Sequence, residues 1–241
     1  MIPFEVAGGT VLGRSHALAG RGNQDALFFE KDADTLVAVV ADGCGSGVHS
    51  EVGAHLGARL VGRALLAGNG ASPEELLARA RDAALASLLP LVTAMGPTGR
   101  VVTDYFLFTL VGAVVRPDET FVFTLGDGVF ALNGEARELS YPDNRPPYLG
   151  YALAGSTLPD ALLGFQLQAR VPTRDVRSLV VGTDGVAPLL PQLGALVDAD
   201  VFRNPMAVTR RLTVLSRTRG LLPDDATLVA LRRRDEGARC S

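Results

Sequence analysis

Apolar positions follow two rhythms along the chain. Residues 36–41 and 105–115 form nearly unbroken apolar runs, and shorter ones occupy 26–29, 120–125, 129–132, 179–182 and 226–231. Short apolar runs bounded by turn residues predict strands. Arg116-Pro117-Asp118-Glu119 and Asn133-Gly134 supply such turns, the second of hairpin type. Over residues 51–66 the spacing is helical instead: Val52, Leu56, Leu60, Val61 and Leu65 share a face. Ser50 is placed to cap that helix, and Gly68, Asn69 and Gly70 end it. Ser72-Pro73-Glu74-Glu75 opens a second helix, predicted to run to about Leu89, before Pro90. Helical spacing returns at 188–196 and 205–216, and the Pro- and Gly-rich stretch 141–158 predicts a loop over one rim. Strands at both ends with paired helices between them predict a layered α+β fold, not a βαβ wrap.

Composition narrows the size and the partners. With 241 residues and 47% apolar content, the chain has material for one good core, or two small ones at most, and a single domain over 1–241 is expected. A net charge of -3, from 23 basic and 26 acidic residues, argues against nucleic acid or an anionic membrane as partner. Trp is absent, so base-stacking platforms are not expected. Cys44 and Cys240 do not make a disulfide scaffold; Cys240 is expected to be exposed, and the reducing cytoplasm is the predicted location. The opening MIPFEVAGG lacks the features of a signal peptide, and no stretch has the ~20 apolar residues of a membrane span. The nucleotide-binding patterns GxGxxG, near the first strand, and GxxxxGK[ST] are missing.

Acids punctuate the strands. Asp42, Asp127 and Asp184 follow apolar runs, while Asp25 and Asp224 or Asp225 precede them. In an antiparallel sheet the end of one strand and the start of its neighbour share a rim, so acids far apart in the chain are expected to meet at one edge. Clustered carboxylates repel and lose hydration unless a cation sits among them. Hard divalent ions take oxygen ligands, and two ions sharing a carboxylate hold a hydroxide in line with phosphorus. Gly43, Gly128 and Gly185 follow these acids and let the backbone pass close; Gly43 also offers a carbonyl. Any one Asp-Gly pair is also a common turn former, so the weight lies on the set.

His16 within GRSHALAGRGNQDA, then ADGCGSGVHSEVGA, TLGDG at 124–128, VGTDGVAPLL at 181–190 and PDDATLVAL at 223–231 span almost the whole chain. Their order resembles the metal-dependent Ser/Thr protein phosphatases of the 2C type, above all their compact bacterial branch. The resemblance implies a four-layer α-β-β-α sandwich, two antiparallel sheets flanked by helix pairs, with metals at one rim. It implies hydrolysis of phosphoserine or phosphothreonine in proteins by metal-held water, using two Mg2+ or Mn2+ ions with room for a third. The implied partner is a phosphorylated protein in a pathway shared with a Ser/Thr kinase. By the same resemblance Asp42 bridges both ions, Gly43 is a ligand through its carbonyl, Asp184 and Asp224 hold the second ion, and Asp25 is a metal-site carboxylate that orients bound water. Asp127 stands at the family's GD motif, and Arg21 is the candidate phosphate clamp, with Arg14 the other choice.

The departures from the family pattern define the rival readings. Cys44 stands where the eukaryotic branch has a proposed acid histidine, and it reads equally as packing. Gln24 replaces the Glu of many members, expected to remove a charge near the first metal, and the arginine loop is shortened to Arg21-Gly22-Asn23-Gln24-Asp25. The rivals are a non-catalytic binding or regulatory module of the same fold and a hydrolase of other phosphate esters. His16 is expected to bond a carboxylate or hold its loop. His49 and His55 lack metal-ligand spacing, Ser50 and Glu51 favour a helix start, and Ser46 has no partners for acyl transfer.

Overall fold

A computed structural model describes residues 2–234 apart from 69, 157 and 194–197; Cys240, Asn69 and the end of the predicted 188–196 helix fall outside the described residues. The apolar runs pair into two antiparallel five-stranded sheets. One sheet holds β2 (Asp25–Lys31), β3 (Leu36–Gly43), β4 (Phe108–Val115), β5 (Glu119–Leu125) and β8 (Gln166–Pro172), in that spatial order. The other runs β1 (Phe4–Val11), β10 (Ala226–Arg233), β9 (Ser178–Gly182), β6 (Gly128–Leu132) and β7 (Glu135–Leu139).

The central strands are buried on both faces, so their sequences read as continuous apolar runs. In β3, Leu36, Ala38 and Val40 enter the core between the sheets, whereas Val37, Val39 and Ala41 join the core under helix α2 (Ser50–Ala67). Alanines and glycines line the buried face of α2, and a Cβ on Gly57 or Gly62 would collide with Phe108 or Phe28. That clearance lets the helix lie close to the sheet. Helix α3 (Pro73–Met95) packs on α2, followed by α4 (Thr98–Tyr105). Beyond β1 lies α5 (Ala207–Arg219), joined among the described residues by 3₁₀ segments Asp184–Gln192 and Ala199–Arg203. Pro188 and Pro191 account for the 3₁₀ winding of the first segment. The layers are those of an α-β-β-α sandwich.

Several expectations change. Ser72 caps α3 as predicted, its Oγ accepting from the Glu75 N–H at 3.2 Å. The helix does not stop before Pro90 but runs through it, because Leu88 and Val92 continue its buried stripe beyond Ala80 and Ala84. Ser50 is not the cap of α2; it is the first helical residue, fully buried, with its hydroxyl taken by Gln24. Residues 105–107 precede β4, and the short helix α1 (Arg14–Leu18), β1, β7, β8 and α4 are additional elements. Among the described residues no single helix is long and apolar enough to cross a membrane.

Candidate functional site

Strand parity aims the central acid. The alternation that puts Leu36, Ala38 and Val40 between the sheets puts Asp42 at the mouth of the same cleft. Asp25 is its register partner on β2 and Thr109 its partner on β4. The facing sheet supplies the rest. Asp127 sits in the turn from β5 to β6 between Gly126 and Gly128, whose φ values of 91° and 138° suit glycine. Asp184 follows β9, and Asp224 precedes the adjacent β10. Asp42, Gly43, Asp127, Asp184 and Asp224 thus line one pocket of about 290 Å³, with His16 and Cys44 also in its wall. The glycines after the acids are spaced by close neighbours: a Cβ on Gly43 would lie 2.8 Å from the Gln24 carbonyl, and one on Gly185 would strike the Asp225 carbonyl.

The carboxylates are costly as anions. Burial pushes Asp42 well above the ordinary range, reinforced by the charges of Asp25, Asp184, Asp127 and Asp224. Burial raises Asp25 to about 7 against the opposing hydrogen bond from Thr183, whose hydroxyl donates to Oδ2 at 2.8 Å. Burial and Asp184 raise Asp127 to about 6, and burial and Asp224 raise Asp184, which also shares a hydrogen bond with Asp42. Asp25 Oδ1 and Asp127 Oδ1 are buried with no hydrogen-bond partner among the described residues. Orphaned, acceptor-only oxygens in an all-oxygen nest fit hard divalent cations such as Mg2+ or Mn2+.

The two adjacent acids before β10 separate cleanly. Asp224 is exposed in the pocket, whereas Asp225 is buried and fully bonded. Asp225 Oδ1 accepts from the Gly13 N–H at 2.7 Å, and Oδ2 accepts from the Gln24 N–H at 2.7 Å and pairs with His16 Nδ1 at 2.8 Å. His16, Asp224 and Asp225 lie close enough for an ion by distance, but the saturated Asp225 makes this a tie between loops. The Gln24 side chain does not face the acids as expected, although its N–H bonds Asp225. Parity turns its side chain to the other face of the sheet, where Nε2 donates to Ser50 Oγ at 2.8 Å. Arg21 does not line the pocket; its guanidinium donates to the Gly45 carbonyl in the turn after Asp42. Arg14 lines a separate cleft against α5. His49 is exposed, paired with Glu51 at 3.3 Å and stacked near Tyr105.

Cys44 is half-buried in the pocket wall. Burial pushes its thiol up, but hydrogen bonds involving Ser46 and Tyr148 and those to the backbone at Ser46 and Gly47 outweigh it, leaving the thiol lowered. Thr109, Thr183 and Tyr148 were not singled out from sequence. Thr109 was accessible through register, since it lies opposite Asp42 and its hydroxyl reaches Asp127.

Two sheets between helical layers, with a nest of divalent-ion oxygens at one rim, are the fold and site of the metal-dependent protein phosphatases. The chain belongs to the protein phosphatase 2C family, whose model matches residues 12–226. It is similar in structure to a bacterial serine phosphatase, at 15% identity and a TM-score of 0.64, covering 98% of this chain and 100% of that one. It is also similar to the serine/threonine phosphatase PstP of Mycobacterium tuberculosis, at 17% identity and a TM-score of 0.60, covering 96% and 99%. The PstP catalytic domain in complex with two manganese ions gives 18% identity and a TM-score of 0.59, again covering 96% and 99%. No curated protein matches the sequence at a significant level.

Proposed function

We propose that the chain, as one domain over 1–241, removes phosphate from phosphoserine and phosphothreonine in proteins with two Mg2+ or Mn2+ ions. Asp42 would be shared by both ions, Gly43 would contribute its carbonyl, and Asp184 and Asp224 would hold the second ion. Asp127, with its free Oδ1, leaves room for a third. When bound, the ions supply Lewis-acid polarisation of the phosphoryl group and acidify a water. The chain's own residues do the rest. Asp25, locked by Thr183, presents its free Oδ1 to orient a water and accept its hydrogen. Arg21 acts by bracing the Gly45 carbonyl, which keeps the turn after Asp42 folded over the pocket. His16 and Asp225 bind the loops before β2 and β10 together and so set the position of Asp224.

One observation carries this reading: carboxylates from four separated places in the sequence, Asp42, Asp127, Asp184 and Asp224, line one pocket, Asp25 stands beside them as the register partner of Asp42, and buried oxygens of Asp25 and Asp127 lack partners among the described residues. We also propose a cytoplasmic signalling role opposite a Ser/Thr kinase, with neither nucleic acid nor membrane as partner; the net charge of -3 and the acidic pocket support it. Asp42→Asn tests the centre. It is expected to lower phosphopeptide turnover at least a hundredfold and weaken Mn2+ binding in calorimetry. Near-normal turnover in that variant would refute the assignment, and tight Mn2+ binding without turnover of any phosphate ester by the unaltered chain would favour a binding module.

A further inference from the structure

Beside the catalytic pocket lies a second cavity of about 630 Å³. The two share Cys44, Ser46, Asn144, Pro146 and Tyr148 in their walls, so they lie side by side. Their chemistry differs sharply. The catalytic pocket is acidic, whereas among the described residues the neighbour's lining has no acidic residue and a single charge, Arg145. Its walls include Leu107, Tyr148, Tyr151, Leu158 and Leu162. Leu158 and Leu162, 37% and 47% exposed, face the same concavity. Tyr148 and Tyr151 stand edge to face, with ring centroids 5.4 Å apart, and burial raises both phenols, which keeps them neutral.

We infer that this groove is the subsite for an apolar side chain, aromatic or branched aliphatic, flanking the phosphorylated residue of the substrate. The inference rests on the phosphatase reading. A phosphoresidue seated on the acids must lead the rest of its chain out of the pocket, and the groove adjoins that pocket along a shared wall. With no carboxylate among the described residues of its walls, the groove offers a basic flanking residue no ion pair, while aromatic and leucine walls gain from covering an apolar one. The occupant is therefore part of the substrate peptide.

The test uses the full chain with Mn2+ and a phosphoserine peptide flanked by glycines, alongside versions with Phe scanned through the neighbouring positions on each side. At one position Phe is expected to raise kcat/KM about tenfold or more over the glycine peptide. The double variant Leu158→Asp, Leu162→Asp is expected to erase that gain. Turnover of the glycine peptide with no gain at any Phe position, or a gain that survives the double variant, would overturn the groove and leave the phosphatase reading standing. A loss of the same size on both peptides would also overturn it. Absence of turnover on every peptide would sink the phosphatase reading and this inference with it.

Discussion

At the scale of single residues, Asp224 and Asp225 show how neighbours of identical chemistry take opposite work. The side chain of Asp225 is 2% exposed and accepts backbone hydrogen bonds from Gly13 and Gln24, so its loss strands two buried donors. Asp225→Ala is expected to cost about 3 kcal/mol of folding stability, read as a fall in the urea midpoint. Asp224 has a side chain 58% exposed; its Oδ1 accepts a local hydrogen bond from the Asp225 N–H at 2.8 Å, and the loss of that bond is offset by relief of the repulsion between Asp224 and the neighbouring Asp184 and Asp42. Asp224→Ala is therefore expected to leave the urea midpoint unchanged while weakening Mn2+ binding at least tenfold in calorimetry. Equal destabilisation by the two substitutions would contradict this division.

At the scale of elements, what the sequence revealed follows burial. The central strands β3, β4 and β5 are covered on both faces and announce themselves as apolar runs. The unforeseen strands β1, β7 and β8 are all sheet edges; β7 is exposed along most of its length, and β8 is only half-buried. An edge strand keeps half its surroundings in water and needs no apolar rhythm. The strand-end acids were legible because an acid closing a buried run is conspicuous. The aim of Gln24 and the split between Asp224 and Asp225 were not, since both depend on register and on backbone partners far away in the chain. Pro90 misled for a related reason: local propensity ended α3, but Leu88 and Val92 kept it packed. Proline there lacks the N–H that would bond Ala86 and sits on an exposed face. Pro90→Ala is expected to stabilise the protein by about 1–3 kcal/mol in urea unfolding, and a loss of stability would mean that the helix is bent to fit the proline.

At the scale of the molecule, the fold holds its acids in place against their mutual repulsion, and pH exposes the cost. Asp25 moves from 3.8 in the unfolded chain to about 7, and Asp127 to about 6, both chiefly through burial. Between these values the folded protein binds more protons than the unfolded one, so stability falls as pH rises through the window. The penalty is complete above the folded-state values and absent below the unfolded ones. Metal-free protein should therefore melt at progressively lower temperature from about pH 4 to about pH 7. Divalent ions oppose the trend, because they bind the ionised carboxylates of the folded state and compete with protons. Saturating Mn2+ should raise the melting temperature far more at the alkaline end than at the acid end. Asp25→Asn removes the largest proton-linked contribution for which a folded-state value near neutrality is found, and so should flatten the metal-free slope. A metal-free melting temperature that climbs with pH across this range would show that the carboxylates do not crowd as the geometry requires.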